Sequence, residues 1–210
     1  MLVNDQPETS QVNSQILHPG SRDLFRFWDA MRAETAAPRR RGLDLNQIRD
    51  IVPNLVILER DSARDGYRYR LAGTGICNLY RRELTGRGAM EGWDAFERDT
   101  IRRFFDGVVD TLQPCVLRFR LHTDHSQLIG AELIGLPLQA IAGGIHILGG
   151  IFVFQDTENL AYSAITGLEI SAARSIWTEH LPGDRLVSQL SEPATGRPFR
   201  SFKVIPGGRT

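Results

Sequence analysis

The sequence predicts a single α+β domain, and three observations carry that prediction. Several runs show the two-residue alternation of a strand or an unbroken apolar stretch of strand length. A long segment of helical spacing divides them into a leading pair and a trailing triple. The 210-residue chain, 41% hydrophobic, has enough apolar material for one sizeable core and too little length for a second full domain.

Taken in order, Ser21 can cap a first helix in which Leu24, Phe25, Trp28 and Met31 recur at helical spacing, and Pro38 ends it. Asp44 and Gln47 have the spacing of a capping box and open a short second helix that Pro53 closes. Residues 54–60 then read as a strand. Asp65 and Gly66 make a turn signal before Tyr67, Tyr69 and Leu71, which alternate with Arg68 and Arg70, so the two strands form a hairpin. Gly73 and Gly75 break the second strand, residues 76–84 form a brief helix, and the glycines of residues 84–93 favour a loop. Asp94 and Glu97 form another capping box at the start of the longest helix, Ala95 to Leu112. After Pro114 come strands over 115–123, 128–138 and 145–154. From Asn159 the pattern weakens to one helix over 168–180 and a tail containing proline and glycine. The expected organisation is a flexible arm over 1–20, a domain with its flanking helix over 21–157, and a C-terminal extension over 158–210.

Charge and cysteine usage narrow the partners. The 25 basic and 25 acidic residues cancel, so no global field draws the chain to nucleic acid or anionic lipid, and any polyanion site must be local. Cys77 and Cys115 neither build a disulfide framework nor match a zinc spacing, which fits a reducing cytoplasm. The first residues lack the basic start and apolar stretch of a secretory signal. The apolar stretch Ala140 to Phe154 is shorter than the roughly 20 residues that cross a bilayer.

Local sequence sharpens the fold. The segments LFRFWDAMR, PRRRGLDLNQI, YRYRLAGTGI, RRELTGR, AELIGLPL and FKVIPGG resemble a PAS-like family of small bacterial proteins familiar from alphaproteobacteria. The resemblance runs from about Ser21 to Thr157, and RLAGT followed by ELTG is its most specific part. It implies a five-stranded antiparallel sheet with helices packed on one face and an N-terminal flanking helix. It also implies a sensory or adaptor role, in which the chain binds a small ligand, signalling proteins or both without catalysis. No cofactor carries over. Cys77 lacks the Asn-Cys-Arg-Phe-Leu context of flavin-binding light sensors, and no histidine lies between Ala95 and Leu112 to hold a haem.

In such a fold the long helix closes over the sheet, and Tyr69, Leu71, Phe104, Phe105, Val108, Phe119 and Leu121 are the candidate lining of a ligand cavity; the same residues also describe an ordinary core. Glu132 can face that cavity with a raised pKa or, as preferred, lie on the outer face beside Arg118 or Arg120. The outer face is expected to carry Glu59, Arg68, Arg70, Arg118, Arg120 and Glu132. His122, His125 and Asp124 read as a strand-end polar turn rather than a metal site, and Gly73-Thr74-Gly75 matches no phosphate loop. The run Arg39 to Arg41 is a solvated loop or a contact for an acidic partner. A competing reading is a small pocket isomerase or hydrolase with Glu132 or His146 as general base and Tyr67 or Tyr69 as proton donor. In the first helix Leu24, Phe25, Phe27, Trp28 and Met31 exceed one stripe, so it either builds a homodimer contact or covers its own sheet.

Overall fold

A computed structural model of the chain describes residues 15–33, 35–63, 66–155 and 164–176. The elements run α1 (Pro19–Arg32), two 3-10 segments (Arg40–Gly42 and Leu45–Asn54), β1 (Leu55–Asp61), β2 (Gly66–Ala72), α2 (Thr74–Leu79) and α3 (Ala95–Asp110). They continue with β3 (Cys115–Thr123), β4 (Leu128–Gln139), β5 (Ile145–Val153) and β6 (Ile165–Ser175). All strand pairs are antiparallel, in the order β2-β1-β5-β4-β3-β6.

The alternating strands fold as their period requires. Tyr67 and Tyr69 are buried on the inner face, while Arg68 and Arg70 stand on the outer face against Glu59. Arg118 pairs directly with Glu132 on that same outer face. Pro137 sits inside β4 without harm because β3 ends its pairing at Gly135, and the Pro137 carbonyl instead accepts the Trp28 indole N–H at 2.8 Å.

The structure corrects several expectations. Residues 168–175 form most of β6 instead of a helix, and residues 177–180 of the expected helix lie outside the described residues. Among the described residues the sheet therefore has six strands, and the sixth comes from the expected C-terminal extension. Helices cover both faces, with α3 on the inner side and α1 with the 3-10 segment Leu45–Asn54 on the outer side. Residues 16–20, assigned to the flexible arm, are part of the packed structure: Ile16 and Gly20 are buried. Residues 1–14 lie outside the described residues.

His18, not Ser21, caps α1. Its Nδ1 accepts the Gly20 N–H at 3.1 Å, and Pro19 occupies the first helical position, where its missing N–H costs nothing. The helix ends at Arg32, before Pro38. The aromatic surplus on α1 finds cover within the chain: Phe25, Phe27 and Trp28 are buried in a second core with Leu55, Ile57, Leu136 and Phe152. The helix thus covers its own sheet. Gly20 and Gly150 permit this close approach, because a Cβ at either position would stand 2.5 Å from the Phe152 ring. Gly73 and Gly75 have a similar task, admitting the Pro53 carbonyl within 2.3 and 2.9 Å of where a Cβ would be. Pro53 itself lies inside the 3-10 segment that it was expected to close.

Candidate functional site

The inner face and α3 enclose an aromatic core. Asp94 caps α3 by accepting the Glu97 N–H at 2.8 Å, but the capping box is only half made. The Glu97 carboxylate turns away and accepts the Ile170 N–H of β6 at 2.6 Å, which ties the helix start to the sixth strand. Farther along, the Tyr67 hydroxyl donates to Asp106 at 2.8 Å, and Arg60 reaches Asp106 and Asp110, each at 2.9 Å. Between these anchors Trp93 meets Phe119 edge-on at 5.3 Å and Phe105 meets Tyr67 at 5.2 Å.

At the centre of this core is a small enclosed cavity of about 20 Å³, with Tyr69, Tyr80, Trp93, Phe105, Phe119 and Leu133 among its walls. It is large enough for about one water and far below the roughly 300 Å³ of a small ligand site. Of the seven candidate lining residues, Tyr69, Phe105 and Phe119 reach it. Val108 and Leu121 are buried in the same core but off the cavity, and Phe104 packs at the core's margin. Leu71 is 41% exposed. The pairing of β1 with β2 slips between Ile57 and Leu58, so Arg70 is an extra residue and Leu71 falls opposite Ile57, on the outer side. The chain also uses residues that alternation alone does not reveal. The glycine-containing loop after α2 hydrogen-bonds along β2, with Gly86 N–H to Tyr69 O at 2.7 Å and Ala89 N–H to Tyr67 O at 2.7 Å, and so delivers Ala89 and Trp93 to the cavity. The one signal for this in the sequence was a tryptophan among glycines.

Burial sets the chemistry of this interior. Desolvation pushes the Tyr69 phenol up to about 12 and raises Tyr80 further, and it pushes the Cys115 thiol up to about 12. All three stay neutral at ordinary pH.

The outer face is polar at its centre. Glu132 is wholly buried beneath the lead-in to α1, where it accepts the Leu17 N–H at 3.0 Å, the His18 N–H at 2.9 Å and Arg118 Nε at 3.1 Å. Arg118 also donates to the Gln15 carbonyl. The expected cross-strand pair is formed, and the lead-in closes over it. Arg120 pairs with Glu169 at 3.6 Å, as does His122 at 3.1 Å, while His125 pairs with Asp124 at 2.9 Å. His146 lies beside Glu59 at 3.6 Å, and desolvation lowers its pKa against the pull of Glu59.

These positions bear on the general-base constellation. Glu132 and His146 lie on the outer face, whereas Tyr67 and Tyr69 lie on the inner one, so the sheet separates the suggested base from the suggested donor.

The fold is an antiparallel α+β sheet with a flanking helix, whose lead-in is held to the outer face by the Glu132–Arg118 clasp. The chain belongs to the PAS domain family, whose model matches residues 16–153. That match begins at Ile16, the first buried residue of the lead-in. No curated protein matches the chain. Among the described residues, no helix is long and apolar enough to cross a membrane.

Proposed function

We propose that this chain is a PAS-type sensory or adaptor module that works by binding and passes changes in its inner core to the segment leading into α1. One observation carries the reading. Both members of the buried outer-face ion pair adjoin residues of the inner cavity along their strands: Leu117 and Phe119 flank Arg118, and Leu133 follows Glu132. A strand transmits displacement through its pleat, because neighbouring side chains share one backbone. Anything that rearranges Phe119 or Leu133 therefore displaces the carboxylate and guanidinium holding Gln15, Leu17 and His18. The cavity as it stands admits no metabolite, so a small apolar ligand would enter by rotating the aromatic walls, and without one the module acts as a protein adaptor. Its partners would be separate signalling proteins. The two free thiols suit a reducing cytoplasm.

Native mass spectrometry of the purified chain, combined with amide exchange at Leu17 and His18, tests this reading. A co-purifying small molecule whose removal speeds exchange at those two amides supports sensing; a protein free of small molecules supports the adaptor branch. The coupling fails if exchange at Leu17 and His18 is unchanged both by ligand removal and by the core substitution Phe119→Leu.

A further inference from the structure

On the outer face, away from the clasp, three arginines gather around a single carboxylate. Arg68 and Arg70 project from β2. Glu59 on the adjacent strand binds Arg68 through Nε and Nη2, both at 2.7 Å, and Arg70 through Nη1 at 3.1 Å. Arg40 arrives from the first 3-10 turn, which is anchored to the sheet by Gln139 N–H to Pro38 O at 2.9 Å, by Gln139 Nε2 to Ala37 O at 2.9 Å and by an Arg39–Gln139 bridge. Arg40 has no ion-pair partner among the described residues. With Thr85 and Gly86 of the loop that runs along β2, these side chains line an open groove of about 340 Å³.

Among the described residues, three guanidinium charges thus face one carboxylate in the groove, a local surplus of two positive charges on a chain whose formal net charge is zero. Glu59 does not saturate its partners. Among the described residues, Arg68 keeps Nη1, Arg70 keeps Nε and Nη2, and Arg40 keeps its whole fork for a ligand. Because the carboxylate already holds two of the forks, much of the entropy cost of ordering them is met before any ligand arrives. Planar guanidinium forks match tetrahedral and planar oxyanions through paired N–H bonds, and a surplus of two charges favours a dianion over a carboxylate monoanion.

We propose that the groove between Arg40 and the Arg68–Arg70 pair is a binding site for a phosphoryl dianion, with Glu59 positioning the two strand arginines. The phosphoryl group belongs either to a small phosphate monoester or to a phosphorylated side chain of a protein. The groove opens on the outer face, shares only Tyr69 with the walls of the inner cavity, and stands or falls independently of the sensory reading above.

The test is a titration of the full chain with inorganic phosphate, phenyl phosphate, a short phosphoserine peptide and benzoate. Amide chemical shifts are followed, with sodium chloride at matched ionic strength as the reference. The expected result is saturable binding of the phosphoryl probes, with shifts centred on residues 40, 68–70 and 85–86, and binding of benzoate at least about 10-fold weaker. Arg40→Ala and Arg68→Ala should each weaken the phosphoryl probes by about 10-fold or more. Arg40→Ala removes no ion pair of the fold, so its loss of binding cannot be blamed on unfolding. The tighter of phenyl phosphate and phosphoserine peptide identifies the source. Shifts that chloride reproduces, or affinities that survive both substitutions, overturn the site.

Discussion

The two faces of this sheet are built from the same strands but held by different forces. The inner face is closed by α3 with aromatic contacts and a nearly filled core, and burial there raises the pKa of Tyr69 and Cys115 well above their ordinary values. The outer face shares its space between an apolar patch under α1 and charges, some buried and some exposed, and burial there lowers the pKa of His18 and His146 from its ordinary value. The contrast shows where stability and responsiveness reside. Apolar burial is large and indifferent to pH, whereas a buried ion pair stabilises little net and fails sharply when one partner is removed or displaced.

The largest effects come from asking whether the two layers melt together. Phe119→Ala on the inner face and Trp28→Ala on the outer face each remove a fully buried aromatic ring, and each should cost about 3–5 kcal/mol in urea unfolding. Hydrogen exchange separates them. Phe119→Ala should lower protection throughout the sheet, because the ring contacts the common core, while Trp28→Ala should open α1 before the strands do. Equal loss of protection everywhere in both variants would mean that the layers form one unit and that the contrast between them has no dynamic counterpart.

Glu132→Ala tests the clasp itself. It leaves Arg118, 19% exposed, without its carboxylate and orphans two backbone N–H groups, so the expected loss is about 3–5 kcal/mol. Replacing both Glu132 and Arg118 by leucine should restore the part of that stability lost to the unpaired guanidinium, while the Leu17 and His18 N–H groups stay without their acceptor. A loss below about 1 kcal/mol in the single variant would show that water reaches the pair.

Much of this architecture is legible in the sequence, and the exceptions share a cause. The β3 limits and the inward tyrosines of β2 follow from two-residue alternation. Leu71 is misplaced because the bulge at Arg70 inverts parity beyond it. The same event hides β6: its pairing with β3 slips between Arg118 and Phe119, Ser171 is extra, and the residues packed toward the core become Leu168, Ile170 and Ala173. That spacing, written in Leu, Glu, Ala and Arg, has the look of a helix, and strand pairing overrides the propensity. The clasp is half legible. Opposite charges on neighbouring strands announce Arg118–Glu132, but the backbone groups that bury it come from a lead-in more than a hundred residues away in sequence, and no local pattern encodes that contact.

A smaller effect is expected from the helix–sheet spacing. Gly150→Ala places a methyl 2.5 Å from the Phe152 ring and 2.8 Å from Leu24, and the ring has little room to turn because it also abuts Gly20 and stacks on His18 at 5.0 Å. Overpacking of this kind costs about 1–3 kcal/mol, and it should fall on α1 exchange rather than on α3. An unchanged melting temperature would mean that α1 rides more loosely on the sheet than its burial suggests.

The mildest expected effect, and the sharpest discriminator between the faces, is the dependence of stability on pH. His18 donates from Nε2 to the Val153 carbonyl at 3.2 Å and accepts the Gly20 N–H on Nδ1, an arrangement that requires the neutral ring. Burial lowers its pKa from 6.5, partly opposed by the bond to Val153 and the charge of Glu132, and burial lowers His146 in the same direction. A histidine whose folded pKa lies below its unfolded value contributes stability that is fully present above the unfolded pKa. As pH falls below about 6.5 the unfolded chain takes up the proton first, so stability declines until the folded pKa is passed and then levels off. The inner face behaves in the opposite sense: Tyr69 and Cys115, raised by burial, withdraw stability only as pH climbs past their ordinary values of 10.0 and 9.0. Urea midpoints measured from pH 5 to pH 10 should therefore show a shallow acid limb belonging to the outer face and an alkaline limb belonging to the inner one. His18→Asn keeps a side-chain acceptor at the head of α1 but cannot take up a proton in this range, so it should reduce the slope of the acid limb to what His146 contributes and leave the alkaline limb untouched. If the acid limb keeps its full slope in that variant, the proton is taken up elsewhere, and the neutral His18 cap is not what makes the outer face sensitive to acid.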